Sequence, residues 1–167
     1  MGVLRALLRL DPSLDPVEIG ARLSPFPVVD GLCLDHVFLV DAVADPERVH
    51  ALAVVDRIYL LSLASLIAPL NMACRSGDVV LDACAAPGGK TLVVEKAFPG
   101  VHLYASEFSR ARRTHLARLL AKVAPKVSVL GLDARDLRRL PFPAPQAILL
   151  DAPCSGEAHL ARAGSAE

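Results

Sequence analysis

The sequence predicts an α/β fold with a doubly wound, mostly parallel sheet, and three observations carry that prediction. Between residues 78 and 150, short apolar runs alternate with helix-competent stretches, as in consecutive strand–helix units. Hydrophobic residues make up 53% of the 167-residue chain and aromatic residues only 4%, which suits strands that are buried on both faces. Each predicted strand also ends in or next to an acid. The length allows one domain of moderate size and little more.

The elements follow from apolar periodicity and turn residues. Ser109 can cap a helix that Pro125 ends, and the apolar positions of this helix recur at helical spacing and face the sheet. These positions are Leu116, Leu119, Leu120 and Val123. The predicted strands span 78–83, 101–106, 126–132 and 146–150, and the predicted helices span 60–73, 90–98 and 109–123.

The N-terminal part has a different character. Prolines at positions 12, 16, 25 and 27 forbid a long helix, so residues 1–55 are interpreted as an irregular region, apart from a strand or strand pair within 33–43. Residues 56–167 form the second predicted unit. The stretch 58–74 carries no charge, but it contains two serines, a proline and an asparagine, so we expect a buried helix rather than a membrane span.

The four cysteines, Cys33, Cys74, Cys84 and Cys154, are not paired at CxxC spacing, so no zinc or other metal site is expected. The first ten residues are too short for a signal peptide and contain two arginines. Reduced thiols in an intracellular protein are therefore the expectation. Cys33 and Cys74 are interpreted as structural.

Residues 81–91 read Leu-Asp-Ala-Cys-Ala-Ala-Pro-Gly-Gly-Lys-Thr, a strand end, a tight turn and a helix start. Gly88 and Gly89 stand where a backbone must approach a ligand closely. The loop lacks the spacing of the dinucleotide fingerprint and of the Walker motif. A nucleotide-like cofactor is predicted here, but neither NAD nor ATP is the first choice.

The acids at the strand ends are Asp82, Glu107, Asp133 and Asp151. Ligands of open α/β sheets lie outside the carboxyl ends of the strands, so the four acids and the glycine loop are predicted to form one site. Glu107 lies 18 residues after Gly89, near the offset at which an acid meets ribose hydroxyls. Any one of these acids alone would be equally well explained as a helix cap or turn residue.

A Pro-Cys pair follows the last predicted strand and places Cys154 at the edge of this site. A thiolate there can add to C6 of a pyrimidine and so activate C5. The alternative is a small packing residue. Packing is also the favoured interpretation of Cys84.

Four segments together resemble the RsmB/NOP2/Sun family of S-adenosylmethionine-dependent RNA cytosine-5 methyltransferases. They are CAAPGGKT at 84–91, ASEFSRAR at 105–112, LDARDL at 132–137 and LDAPCSG at 150–156. The resemblance covers roughly residues 57–160 and implies a class I (Rossmann-like) methyltransferase fold. Residues 109–125 and Ala158 are more similar to the mitochondrial ribosomal and transfer RNA branch.

The resemblance also implies roles for single residues. Glu107 would hold the ribose hydroxyls of the cofactor, Asp133 its adenine side, and Asp151 the region of the reactive methyl group. Cys154 would assist product release, and the nucleophile would lie in a Thr-Cys motif beyond Glu167. The methionine end of S-adenosylmethionine would be wrapped by Cys84, Ala85, Ala86, Pro87, Gly88, Gly89 and Lys90.

The resemblance implies a sheet that is incomplete at the C-terminus, because only the first four strands precede Glu167. A truncated enzyme is favoured over a degenerate one. Two other functions stay open: a scaffold that binds RNA or cofactor without chemistry, and a DNA cytosine-5 methyltransferase.

RNA, ribosomal or transfer, is the expected partner, and residues 110–139 contain nine basic residues against two acids. A solvated helix face explains this excess equally well. Residues 1–55 would be a partial RNA-binding region, and a ribosomal or assembly protein is a further candidate partner. The oligomeric state is not predicted. Cytoplasm, nucleolus and mitochondrion remain open as locations.

Overall fold

The computed structural model describes residues 4–10, 13, 15, 37–41, 58–138 and 140–152, which form two sheets and three helices. The first sheet is antiparallel, with strand order β2-β1-β3, and the second is parallel, with strand order β6-β5-β4-β7. The strands are β1 (Leu4–Arg9), β2 (Val37–Asp41), β3 (Ile58–Ser62), β4 (Val79–Asp82), β5 (His102–Ser106), β6 (Ser128–Leu130) and β7 (Ala147–Leu149). The helices are α1 (Ala64–Leu70), α2 (Gly89–Ala97) and α3 (Arg110–Val123).

The parallel sheet confirms the predicted α/β fold, and its strand order fixes where a ligand can bind. The chain runs from β4 through α2 to β5, and through α3 to β6, always in one direction across the sheet. It then returns to place β7 on the opposite side of β4. The strand order reverses between β4 and β7, and the crevice outside the carboxyl ends at such a reversal is the usual ligand site of open α/β sheets.

The core lies between the parallel sheet and its helices. All four residues of β4 are buried, as expected of a central parallel strand. Leu116 and Leu120 of α3 are fully buried, and Leu119 and Val123 pack against the same core, so the predicted inward face of this helix is confirmed. Ser109 occupies the cap position without making a side-chain capping bond.

The edge strand β7 leaves apolar surface open. Ile148 is 49% exposed and Leu150 60% exposed, whereas Leu149 between them is buried against the core. Within the described residues, β7 pairs with β4 alone. On the same face of the sheet as Ile148, the ring of Tyr104 stacks on Phe142 at a centroid distance of 3.9 Å.

Two predictions in the N-terminal half are wrong. Residues 1–55 are not irregular throughout, because Leu4–Arg9 forms the central strand of the antiparallel sheet; the strand predicted within 33–43 is confirmed at Val37–Asp41. The helix predicted over 60–73 is shorter, because Ile58–Ser62 is a strand that pairs with β1 over its whole length.

The remaining helix α1 ends at Leu70, and Pro69 in its last turn lacks the N–H that would bond to the carbonyl oxygen of Ser65. Within the described part of the chain, no helix is both long and apolar enough to span a bilayer.

Candidate active site

The strand ends converge on two cavities that meet at Cys84. The larger cavity, of about 390 Å³, lies outside β4, β5 and β6 and is lined by Glu107, Ser109, Arg112 and Asp133, among others. The smaller, of about 270 Å³, lies between the glycine loop and β3. Asp151 lines the smaller cavity and Ala152 the larger one, so the end of β7 also separates the two.

The glycine loop, residues 84–89, is held in place by two close approaches. Gly88 has a φ of 112° at the start of α2, and a Cβ atom there would lie 2.9 Å from Leu119 of α3. A Cβ atom on Gly89 would overlap the side chain of Leu61 on β3. The loop is therefore packed between α3 on one side and the antiparallel sheet on the other. The sequence predicted that the backbone at Gly88 and Gly89 approaches a ligand closely. In the structure, the close neighbours of both glycines are side chains of the protein, Leu119 and Leu61.

Asp82 differs from the other three acids, because it lies under the loop and lines neither cavity. Its side chain accepts a hydrogen bond of 2.6 Å from the Thr91 hydroxyl and another from the Cys84 backbone N–H. Burial raises the pKa of Asp82 from its usual 3.8 to about 6, against the lowering effect of these hydrogen bonds and of Lys90. Asp82 therefore fixes the loop rather than contacting a ligand.

Glu107 is the buried acid of the larger cavity, with 5% of its surface exposed. Its Oε1 accepts a hydrogen bond of 2.8 Å from the Ser109 backbone N–H, and its Oε2 lies 3.4 Å from Arg112 Nη2. A carboxylate offers about four acceptor positions, so each oxygen retains capacity toward the cavity. This geometry suits the recognition of hydroxyl groups.

Asp133 lies at the rim of the same cavity and is held by Arg135. The Asp133 oxygens accept hydrogen bonds of 2.6–3.1 Å from the guanidinium group, and Oδ1 accepts another from the Arg135 backbone N–H. The Arg135 side-chain hydrogen bond is the main cause of a pKa lowered to about 2 for Asp133. Asp133 is thus an ionised, partly neutralised acid with free acceptor positions.

The smaller cavity contains an ion pair and an aromatic ring. Lys90 Nζ lies 2.6 Å from Asp151 Oδ2 at its wall. Tyr59 of β3 supplies a ring beside Gly89, and burial raises the pKa of its phenol. Ser62 and Ser65 line the cavity and share a hydrogen bond of 2.7 Å between their hydroxyls.

Cys84 lines both cavities, but its surroundings disfavour the thiolate form. Burial raises its pKa, and the charges of Glu107 and Asp82 raise it further. A protonated thiol is a poor nucleophile, in keeping with a packing role. Cys154 and Cys33 lie outside the described residues.

The basic stretch 110–139 is less open than its composition suggests. Arg135 is paired with Asp133, Arg138 with Asp136, and Arg113 donates to backbone carbonyls of the site. Exposed cations do remain on α3 and just after it, such as Arg110, Arg118 and Lys126. The nucleic-acid face therefore stays a prediction.

Sequence reasoning missed Tyr59, Ser62 and Ser65 as site residues, because their place in the cavity depends on β3, which the sequence did not predict. The pattern S-x-x-S at 62–65 is too common to have drawn attention to that segment.

Comparison with known proteins finds RNA cytosine-5 methyltransferases among the relatives of this chain. A mouse (Mus musculus) mitochondrial tRNA (cytosine(34)-C(5))-methyltransferase is 35% identical over 67% of this chain and 34% of its own length. The bovine (Bos taurus) 5-cytosine rRNA methyltransferase NSUN4 is 35% identical over 68% of this chain and 31% of its own. The chain thus spans about a third of the length of these relatives.

A solved structure of a methyltransferase homolog from Pyrococcus horikoshii superposes with a TM-score of 0.67 at 21% identity, over 93% of this chain and 52% of that one, which supports the fold. The profile of the 16S rRNA methyltransferase RsmB/F family matches residues 69–166, the stretch that contains the glycine loop, Glu107, Asp133 and Asp151. With more than half of its length matched, the chain belongs to the RsmB/F family of RNA cytosine-5 methyltransferases.

Proposed function

We propose that this protein acts in the transfer of a methyl group from S-adenosylmethionine to C5 of a cytosine in ribosomal or transfer RNA. The observation that carries the proposal is the pair of cavities that meet at Cys84. A two-substrate transfer needs two neighbouring sites with a shared boundary at the reacting atoms. The cytosine specificity of the related rRNA and tRNA enzymes supports the acceptor.

The larger cavity fits the cofactor, which supplies an electrophilic methyl group on a sulfonium centre. Glu107 accepts hydrogen bonds from the two ribose hydroxyls with the acceptor positions that Ser109 and Arg112 leave open. Asp133 accepts from the adenine amino group at the rim. The methionine part is proposed to extend toward Cys84 of the glycine loop, where the two cavities meet.

The smaller cavity fits the acceptor base. Cytosine presents an amino donor next to ring and carbonyl acceptors. The Asp151 carboxylate accepts from the amino group, and the Lys90 ammonium donates to a neighbouring acceptor. The Tyr59 ring supplies a surface on which a flipped base stacks. Cys154, three residues after Asp151 in the chain, is proposed to assist product release on the basis of sequence alone.

RNA is the proposed partner, and an intracellular location, including the mitochondrion, is proposed in line with the mitochondrial tRNA relative. We keep the division into residues 1–55 and 56–167 as a proposal, with cofactor binding assigned to the second part. A ribosomal or assembly protein is kept as a proposed partner.

The test combines binding and transfer. Calorimetric titration with S-adenosylhomocysteine is expected to show one site, and Glu107→Ala is expected to weaken affinity about 100-fold, since two hydrogen bonds to a buried carboxylate are lost. Addition of S-adenosylmethionine to RNA labelled with tritium at cytosine C5 is expected to release tritium as C5 loses its proton, when the protein assayed carries the Thr-Cys nucleophile motif that the family resemblance implies.

Labelled DNA serves as the comparison, and release from DNA but not RNA would overturn the choice of acceptor. A folded chain that does not bind S-adenosylhomocysteine would overturn the cofactor assignment. Cofactor binding with no release from either nucleic acid would leave a binding function in place of the transferase.

A further inference from the structure

We propose that Arg112 is a positioning residue that couples the two ends of the cofactor cavity, by holding the Glu107 carboxylate and the glycine loop with one guanidinium nitrogen. The inference rests on the function proposed above, because it concerns the same cofactor site. It assigns no contact with the reacting atoms to Arg112.

The geometry joins three segments at a single atom. Arg112 Nη2 donates a hydrogen bond of 2.6 Å to the carbonyl oxygen of Ala86 in the glycine loop. The same nitrogen lies 3.4 Å from Glu107 Oε2, which follows β5. Arg112 itself stands in the first turn of α3. A displacement of either loop is therefore transmitted to the other through the guanidinium group.

This arrangement fixes Glu107 without using up its acceptors. A separation of 3.4 Å is long for a charge-assisted hydrogen bond, so Oε2 is oriented by charge while its lone pairs stay available to a ligand. Since Glu107 is 5% exposed, the guanidinium also balances a charge that water reaches poorly. Glu107 at one end of the cavity and Cys84 at the other, which belongs to the glycine loop, are thereby set at a fixed separation.

The neighbouring Arg113 provides a matched control. Its Nη1 donates to the carbonyl oxygens of Glu107 and Phe108, at 2.8 and 3.1 Å, so it ties the same segment to α3. No contact joins it to the Glu107 carboxylate or the glycine loop within the described residues. Loss of Arg113 should loosen the structure without uncoupling the two ends of the cavity.

The experiment measures the affinity of the chain for S-adenosylhomocysteine and for adenosine, which lacks the methionine part. Arg112→Met is expected to weaken S-adenosylhomocysteine about tenfold and adenosine only about threefold, because the glycine loop is released together with Glu107. A lysine at this position can reach only one of the two partners at a time. The affinities of Arg112→Lys are therefore expected to lie between those of wild type and Arg112→Met. Arg113→Met is expected to change the two affinities by the same factor.

A double-mutant cycle with Glu107→Gln adds a readout that a general loss of stability does not move. In the affinity for S-adenosylhomocysteine, the coupling factor between positions 107 and 112 is expected to be about five, and that between positions 107 and 113 close to one. Suppose that the wild-type chain binds both ligands, and that Arg112→Met and Arg113→Met lower the two affinities equally and show equal coupling to position 107. That result would overturn the positioning role of Arg112 and leave the cofactor site in place. Failure of the folded wild-type chain to bind either ligand would instead overturn the proposed cofactor site. If Arg112→Met does not fold, the Arg112→Lys variant carries the same comparison.

Discussion

The two cavities of the site are built in different ways. The larger one is lined by loops of the parallel sheet and the first turn of α3, and its acid Glu107 is buried and held by Ser109 and Arg112. The smaller one takes part of its wall from β3, a strand of the antiparallel sheet, and its ion pair is half open to solvent at Asp151. Under the proposed function, cofactor binding would depend on one sheet, whereas acceptor binding would require both.

The largest effect that tests this difference is expected at Lys90. The resemblance to the family places Lys90 with the methionine end of the cofactor, whereas the geometry places it in the smaller cavity. Lys90→Met is expected to lower tritium release from labelled RNA about 100-fold, while affinity for S-adenosylhomocysteine changes less than twofold. Lys96→Met, on the same helix but paired with Glu95, is the control for removal of a charge.

A Lys90→Met chain that loses S-adenosylhomocysteine binding would move this lysine into the cofactor cavity. The two cavities would then no longer divide the substrates between them. Titration with the cofactor product and the tritium assay, made on the same preparation, decide between these outcomes.

Asp82 provides a second test, because it lies beneath the loop that both cavities share. Its folded-state pKa of about 6 exceeds its usual 3.8, so the folded chain binds this proton more tightly than the unfolded chain. The contribution of Asp82 to the free energy of unfolding is therefore most favourable below about pH 4 and declines as the pH rises through about 6. The decline amounts to about 2–3 kcal/mol.

Asp82→Asn should abolish this part of the pH dependence and leave the rest. Urea unfolding between pH 4 and pH 8 gives the free energy of unfolding of the wild-type chain and of Asp82→Asn as a function of pH. The difference between these two curves removes the contributions of other acids such as Asp133. The wild-type chain should lose stability relative to the variant as the pH rises. Parallel curves would mean that Asp82 is not desolvated by the loop above it.

The positions of these acids show what the sequence could predict. Each follows a strand, and parallel strands end at one edge, so Glu107, Asp133 and Asp151 could be assigned to one site from local patterns alone. The burial of Asp82 beneath the loop could not be predicted, because it depends on the hydrogen bond from Thr91 and on the loop that covers the side chain. Burial is set by packing between segments, which strand and helix periodicity does not specify.

The same reasoning explains the failure at β3. Ile58–Ser62 is apolar and uncharged, which fits a buried helix as well as a strand, and the choice is made by pairing with Leu4–Arg9, more than forty residues earlier. No local signal records such a partner. The smaller cavity was therefore missed together with the strand that forms its wall.

The smallest expected effect concerns this contact between β3 and the loop, at Gly89. A Cβ atom there would overlap the buried side chain of Leu61, so Gly89→Ala is expected to lower the free energy of unfolding by about 1–2 kcal/mol. Gly77→Ala separates overlap from backbone strain, since a Cβ atom there meets nothing within 4 Å and its cost comes from a φ of 90°, which Gly89 does not share. A second change, Leu61→Ala, should relieve the overlap, so that the two substitutions together destabilise the chain by less than the sum of their separate effects.

Strict additivity, measured by urea unfolding, would mean that β3 does not lie against the glycine loop. The antiparallel sheet would then have no part in the smaller cavity. Non-additivity would instead establish that β3, which pairs with Leu4–Arg9, lies against the loop at the centre of the site.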